Sequence, residues 1–183
     1  MQKIIINHKK YLLFILVISA VSLLMGYFYY NLLDENTKIN IINNIKDSTI
    51  NINFIFKDLI MMSTILILSF IIVGIPLCIG YYSYNLFFIG FFINVFLIAY
   101  KSKGIIYILI YLILNRLIPL LLIVIFMYKI INIGKYFINY YVYKNSNFKD
   151  KIIVSFKKCI YTILFALVIN ILLFLLYNYF IKL

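Results

Sequence analysis

This 183-residue chain is poor in charge: Asp, Glu, Lys and Arg make up only 12% of it, against roughly 25% in an ordinary soluble domain. It also has no Trp, one His, two Cys, two Pro and five acids. Each shortage excludes something. His8 stands alone in a basic N-terminal tail, so no His-based metal motif exists. Cys78 and Cys159 form no CxxC pattern, which removes zinc and redox motifs and leaves two small buried hydrophobes as the reading. No glycine-rich phosphate loop occurs. Intramembrane hydrolysis needs paired acids, HExxH, or a serine with an activating base, and none is legible. The expectation is a protein that is not an enzyme and binds no cofactor or metal.

What is present is apolar surface and lysine. Two-thirds of the residues are hydrophobic and the net charge is +12. The lysines cluster at the ends of apolar runs, so the excess reads as the positive-inside bias of a membrane protein. A nucleic-acid interface would need a soluble surface to carry the basic face. From Leu59 to Tyr100 there are 42 residues without one charge. A bilayer core takes about 20 helical residues, so this run must double back. Gly74-Ile75-Pro76 and Gly80, followed by Tyr81-Tyr82-Ser83-Tyr84-Asn85, mark where it could turn.

The expected fold is all-α, a single polytopic membrane domain with about five transmembrane helices at 11–33, 59–80, 85–100, 105–128 and 159–181. The first is preceded by Lys3, Lys9 and Lys10 and is too long for a signal-peptide core, so it reads as an uncleaved crossing with its N-terminus inside. The segment 34–58 holds four of the five acids and is placed outside the cell. Within it, Ile50 to Phe54 alternates as an extended segment would, while Ile39, Ile42 and Ile45 suit a surface helix. The segment 129–158 carries seven lysines against Asp150 and is placed in the cytoplasm. These placements require an odd number of crossings between them, and three fit the lengths. The turn within the uncharged run then falls at 81–84, and the C-terminus lies outside.

Candidate site residues are few. Gly90 suits close helix packing and Gly80 a turn. Gly74 fits either, and Pro76 would kink or break the second helix. Arg116, beside Asn115, is a charge at membrane depth and a functional hypothesis by default; it also suits snorkelling to an interface. No acid falls within the five segments, which counts against proton- or sodium-coupled transport.

The order Ile72-Val73-Gly74-Ile75-Pro76-Leu77, Leu86-Phe87-Phe88-Ile89-Gly90-Phe91-Phe92, Lys103-Gly104, and Leu114-Asn115-Arg116-Leu117-Ile118-Pro119 resembles the stage II sporulation protein M family over about Phe56 to Tyr136. Wider relatives carry Pro-His-Gly and a following Glu in the fourth segment. This chain has Leu114-Asn115-Arg116 there, so roles tied to that His or Glu do not transfer. The resemblance implies a non-enzymatic scaffold at the sporulation septum of the cell membrane. Its implied partners are the peptidoglycan-degrading stage II sporulation proteins D and P, held there for engulfment. The alternative is a permease subunit of an export or immunity system, working with a separate ATPase.

Overall fold

The computed structural model describes residues 2–47, 53–71, 73–101, 105, 108, 118–142 and 148–181. Among these it is helical, with no strand. The helices are α1 (Gln2–Leu32), α2 (Glu35–Asp47), α3 (Asn53–Leu68), α4 (Gly74–Tyr100), α5 (Ile118–Tyr141) and α6 (Lys149–Ile181), with a 3-10 turn at Ser69–Ile71 after α3. Four stretches are long and apolar enough to cross a membrane: Tyr11–Leu32, Gly74–Tyr100, Ile118–Tyr141 and Lys149–Leu175. Helix α3, at 16 residues, falls short of the roughly 20 that a bilayer core takes.

The uncharged run does double back, but not at 81–84. Its break lies at 69–73, and α4 runs unbroken from Gly74 to Tyr100. The expected helices 59–80 and 85–100 are therefore corrected to α3 and α4. Two local effects set the break. The Ser69 hydroxyl folds back to donate to the Leu66 carbonyl (2.6 Å), a competitor to helical bonding. A Cβ on Gly74 would lie 2.5 Å from the Ser69 nitrogen and 2.6 Å from the Ile65 oxygen, so only glycine lets α3 and α4 fold this tightly. Pro76 then sits in the first turn of α4, where its missing N–H was unpaired anyway; it neither kinks nor breaks a helix. Gly80 lies within α4, exposed, with open space around its Cα, so it makes no turn. At the other end Lys101 takes the left-handed conformation (φ 50°), a geometry that terminates helices.

The chain divides into two compact units, residues 1–48 with 83–112, and residues 49–82 with 113–183. In the first, α1 packs on the second half of α4. A Cβ on Gly26 would stand 1.9 Å from the Phe87 oxygen, and one on Gly90 would stand 2.1 Å from the Leu23 oxygen. The two glycines face each other and let the backbones nearly touch, as small residues do between membrane helices. C-terminal to this crossing, the Asn94 amide donates to the Tyr27 carbonyl (2.8 Å) and the Asn31 side chain (3.0 Å), and Tyr30 packs on Phe91 and Val95. Partners advance together along both helices, so α1 and α4 are parallel.

The segment 34–58, expected as a loop, is largely helix. Asp34 caps α2: its carboxylate accepts from the Thr37 N–H (3.1 Å) and the Thr37 hydroxyl (2.6 Å), the standard N-cap geometry. Lys38 reaches back to the Asn31 carbonyl at the end of α1 (3.1 Å), and Ile41 and Ile42 pack on the Tyr30 cluster. Of the two readings for this segment, a helix is present over Ile39, Ile42 and Ile45; positions 50–52 of the extended reading lie outside the described residues. The Thr37 hydroxyl, then the Thr37 N–H, hold the Asp34 carboxyl below its ordinary value. A depressed carboxyl stabilises the fold above the ordinary value of about 3.9, and that contribution is lost as pH falls through the lower folded value. Hydrogen exchange at residues 36–38 should therefore gain protection above pH 4 and lose it in acid, and Asp34→Ser, a cap that does not titrate, should abolish the acid step.

In the second unit α3 and the start of α4 form an antiparallel pair, packed with the α5–α6 hairpin. Phe70 packs at a tilt against Phe156 (5.1 Å), and the Ile75 side chain fills the notch at Gly134. The expected loop 129–158 is mostly helical: α5 continues to Tyr141 and α6 begins at Lys149. Residues 143–147 lie outside the described residues.

Candidate functional site

The 69–73 turn sets a level from which positions in the second unit can be counted. At 1.5 Å rise per residue, Cys78 and Tyr81 stand roughly 6 and 10 Å along α4 from Gly74. Lys129 stands about 8 Å along α5 from Gly134, which is level with Ile75. On α6, Cys159 and Thr162 stand roughly 5 and 9 Å beyond Phe156. These residues, with Asp58 of α3, form one layer inside the unit.

The layer is polar and mostly closed. Asp58 is 8% exposed, Tyr81 6%, Thr162 5%, and both cysteines 0%. The Tyr81 hydroxyl donates to the Asp58 carboxylate. The Lys129 ammonium donates to the Lys158 carbonyl (3.1 Å) and to the Thr162 hydroxyl, which itself donates to the Lys158 carbonyl (2.8 Å). Cys78 and Cys159 are free thiols. Among the described residues, no group of three or more His, Cys, Asp or Glu stands together for a metal ion. The chemistry on offer is that of an acid held by a phenol, and an ammonium that locks α5 to α6.

Asp58 overturns one reading directly. Expected in an outside loop, it is a buried acid within a helix that lies against α4. An ionisable group in such surroundings is expensive unless hydrogen-bonded, and the Tyr81 hydroxyl meets that need. The expectation of no acid within these helices is therefore corrected at Asp58.

The sequence-selected residues do not converge on this layer. Gly74 closes the α3–α4 turn, Pro76 starts α4, Gly80 faces open space, and Gly90 belongs to the α1–α4 crossing. Asn115 and Arg116 lie outside the described residues. The residues missed were Asp58, Tyr81 and Lys129 in the layer, and Gly26, Asn31 and Asn94 at the crossing. A signal existed for Tyr81: it precedes Tyr82 and Asn85 on α4, and all three are buried, so the polar aromatic stretch is a helix face rather than a turn.

The Lys129 lock makes a prediction. Interhelical hydrogen bonds in membranes average about 0.6 kcal/mol, so Lys129→Met, which removes two, should lower thermal stability in detergent by about 1 kcal/mol. Thr162→Val should cost less, because the Lys129 bond to the Lys158 carbonyl survives it. Equal stability of the Lys129 variant and the parent would show the lock to be idle.

Comparison with known proteins returns no match to this chain among family models, curated proteins or solved structures.

Proposed function

We propose that this chain is a non-enzymatic membrane scaffold with five crossings, its N-terminus inside and its C-terminus outside. The observation that carries the scaffold reading is the anchoring of α2. This helix is capped by Asp34, tied to α1 by Lys38 and seated on the Tyr30, Phe91 and Val95 cluster. It presents Glu35, Asn36, Asn40 and Asn43 around exposed Ile39 as one face, a fixed platform for partners outside the membrane. The parallel sense of α1 and α4 supports the crossing count. Two parallel membrane helices require the intervening chain to recross the bilayer. Helix α3, roughly 24 Å long at standard rise, is the helical element on that return path.

The more specific form of the proposal rests on the family resemblance alone: the site is the sporulation septum, and the partners are the stage II sporulation proteins D and P, which degrade peptidoglycan. Co-purification from sporulating cells tests it. The tagged chain should bring down both hydrolases, and Asn36→Lys with Asn40→Lys should release them without loss of membrane insertion. Failure to recover either hydrolase defeats the septal reading. Cysteines placed at Ile45 and Asn147 test the topology; labelling of position 147 from outside would overturn it.

Buried Asp58 favours a second reading, a permease subunit working with a separate ATPase. In that case Asp58→Asn leaves a folded protein that no longer exports or protects, and an ATPase replaces the hydrolases in the co-purification.

A further inference from the structure

The α5–α6 hairpin ends in exposed charge that a single acid offsets only in part. Lys135 on α5 and Lys149, Lys151, Lys157 and Lys158 on α6 are exposed beside one exposed acid, Asp150, a local balance of 5 − 1 = +4. None of the five ammonium groups is held by an acid among the described residues. Lys129, by contrast, is already engaged. On α6 the buried face is Cys159, Thr162, Ala166, Asn170 and Leu173. Lys151 and Lys158, seven residues apart, fall on a common face at the edge of that stripe, two turns or about 10 Å apart.

Helix length fixes their depth. At 33 residues, α6 is about 50 Å long and outruns a core of about 30 Å. Its charge-free part, from Cys159 to Ile181, fills that core, at roughly 35 Å. Lys157 and Lys158 therefore fall in the headgroup layer, and Lys149 and Lys151 stand roughly 12–15 Å past the core, facing the leaflet from its aqueous side. Aromatic rings accompany them: Tyr136 packs on Phe148 (5.9 Å), and the Lys151 ammonium lies 4.6 Å over the Phe148 ring. Rings and lysine stems together suit the bilayer boundary.

We propose that the basic rim of the α5–α6 hairpin binds anionic phospholipid, with Lys158 taking a headgroup phosphate of the adjoining leaflet and Lys151 adding attraction from within a Debye length of its surface. Two observations select lipid as the occupant. The charge stands at headgroup depth and on the aqueous side just past it, and its sign complements an anionic leaflet. The inference does not depend on which leaflet that is, or on the scaffold reading.

Native mass spectrometry of the purified full chain tests it, in mixed micelles holding equal amounts of phosphatidylglycerol and phosphatidylcholine with the same acyl chains. The wild type should retain phosphatidylglycerol preferentially. Each lysine near an anionic surface is worth about five-fold in affinity, so K151Q with K158Q should lower that retention by on the order of ten- to thirty-fold. K151R with K158R should keep it, which separates charge from folding. Equal retention of the two lipids by the wild type, or unchanged retention by the Gln variant, would overturn the proposal.

Discussion

Replacing Gly90 with leucine should pull α1 away from α4 and lower stability in detergent by about 3 kcal/mol or more. Overpacking commonly costs about 1–3 kcal/mol where side chains can yield. Here the obstacle is backbone: an added Cβ at Gly90 would lie 2.1 Å from the Leu23 oxygen, and one at Gly26 would lie 1.9 Å from the Phe87 oxygen. Neither helix can relax without moving as a whole. Moving it breaks the Asn94 bonds to Tyr27 and Asn31 and opens the Tyr30 cluster beneath α2. Even Gly90→Ala should be strongly destabilising. Gly26→Ala should match it, and the double variant should fall well short of the sum, because the first substitution already separates the helices. Additive effects in thermal unfolding would show that the two glycines do not share one contact.

The second large effect is expected at the buried acid. Tyr81→Phe removes the phenol that donates to Asp58, and hydrogen bonds to charged groups are worth about 1.5–3 kcal/mol. A loss of that size should appear in unfolding from detergent. Replacing both members with apolar groups should cost less than losing Tyr81 alone, since a buried acid that loses one of its hydrogen bonds is costlier than an apolar replacement of the pair. Asp58→Leu with Tyr81→Phe supplies that comparison, and the cycle isolates the coupling of this pair from the other contacts of Asp58. A Tyr81→Phe protein as stable as the parent would sink the idea that the phenol keeps the acid in place.

Both effects fall on residues whose importance was only partly legible in the sequence. The membrane class and the doubling of the uncharged run followed from charge spacing alone, because a bilayer limits how long an uncharged helix can be. The place of the break did not. Tyr81 to Asn85 resembles an interfacial turn, since tyrosine and asparagine favour wet boundaries. Inside the protein the same side chains find partners, and an unbroken helix satisfies every backbone group. Asp58 was misread for the opposite reason: it closes the charged run of 34–58, and position in a run does not reveal which way a helical side chain faces. Gly90 was readable as a packing glycine. Its counterpart Gly26 sits within an apolar stretch, and the pairing depends on tertiary contact 64 residues away.

The parallel crossing of α1 and α4 also constrains the order of assembly. During synthesis α1 is made before α4, and its Gly26 notch has no mate until Gly90 has been made and α4 has been threaded in. Until then α1 stands as a solitary helix with a bare strip of backbone at the very place where membrane helices self-associate. The intervening α3 must be laid down before the notch can close. The contact most sensitive to a single methyl group thus waits until 64 residues have followed Gly26, and everything packed on it waits with it.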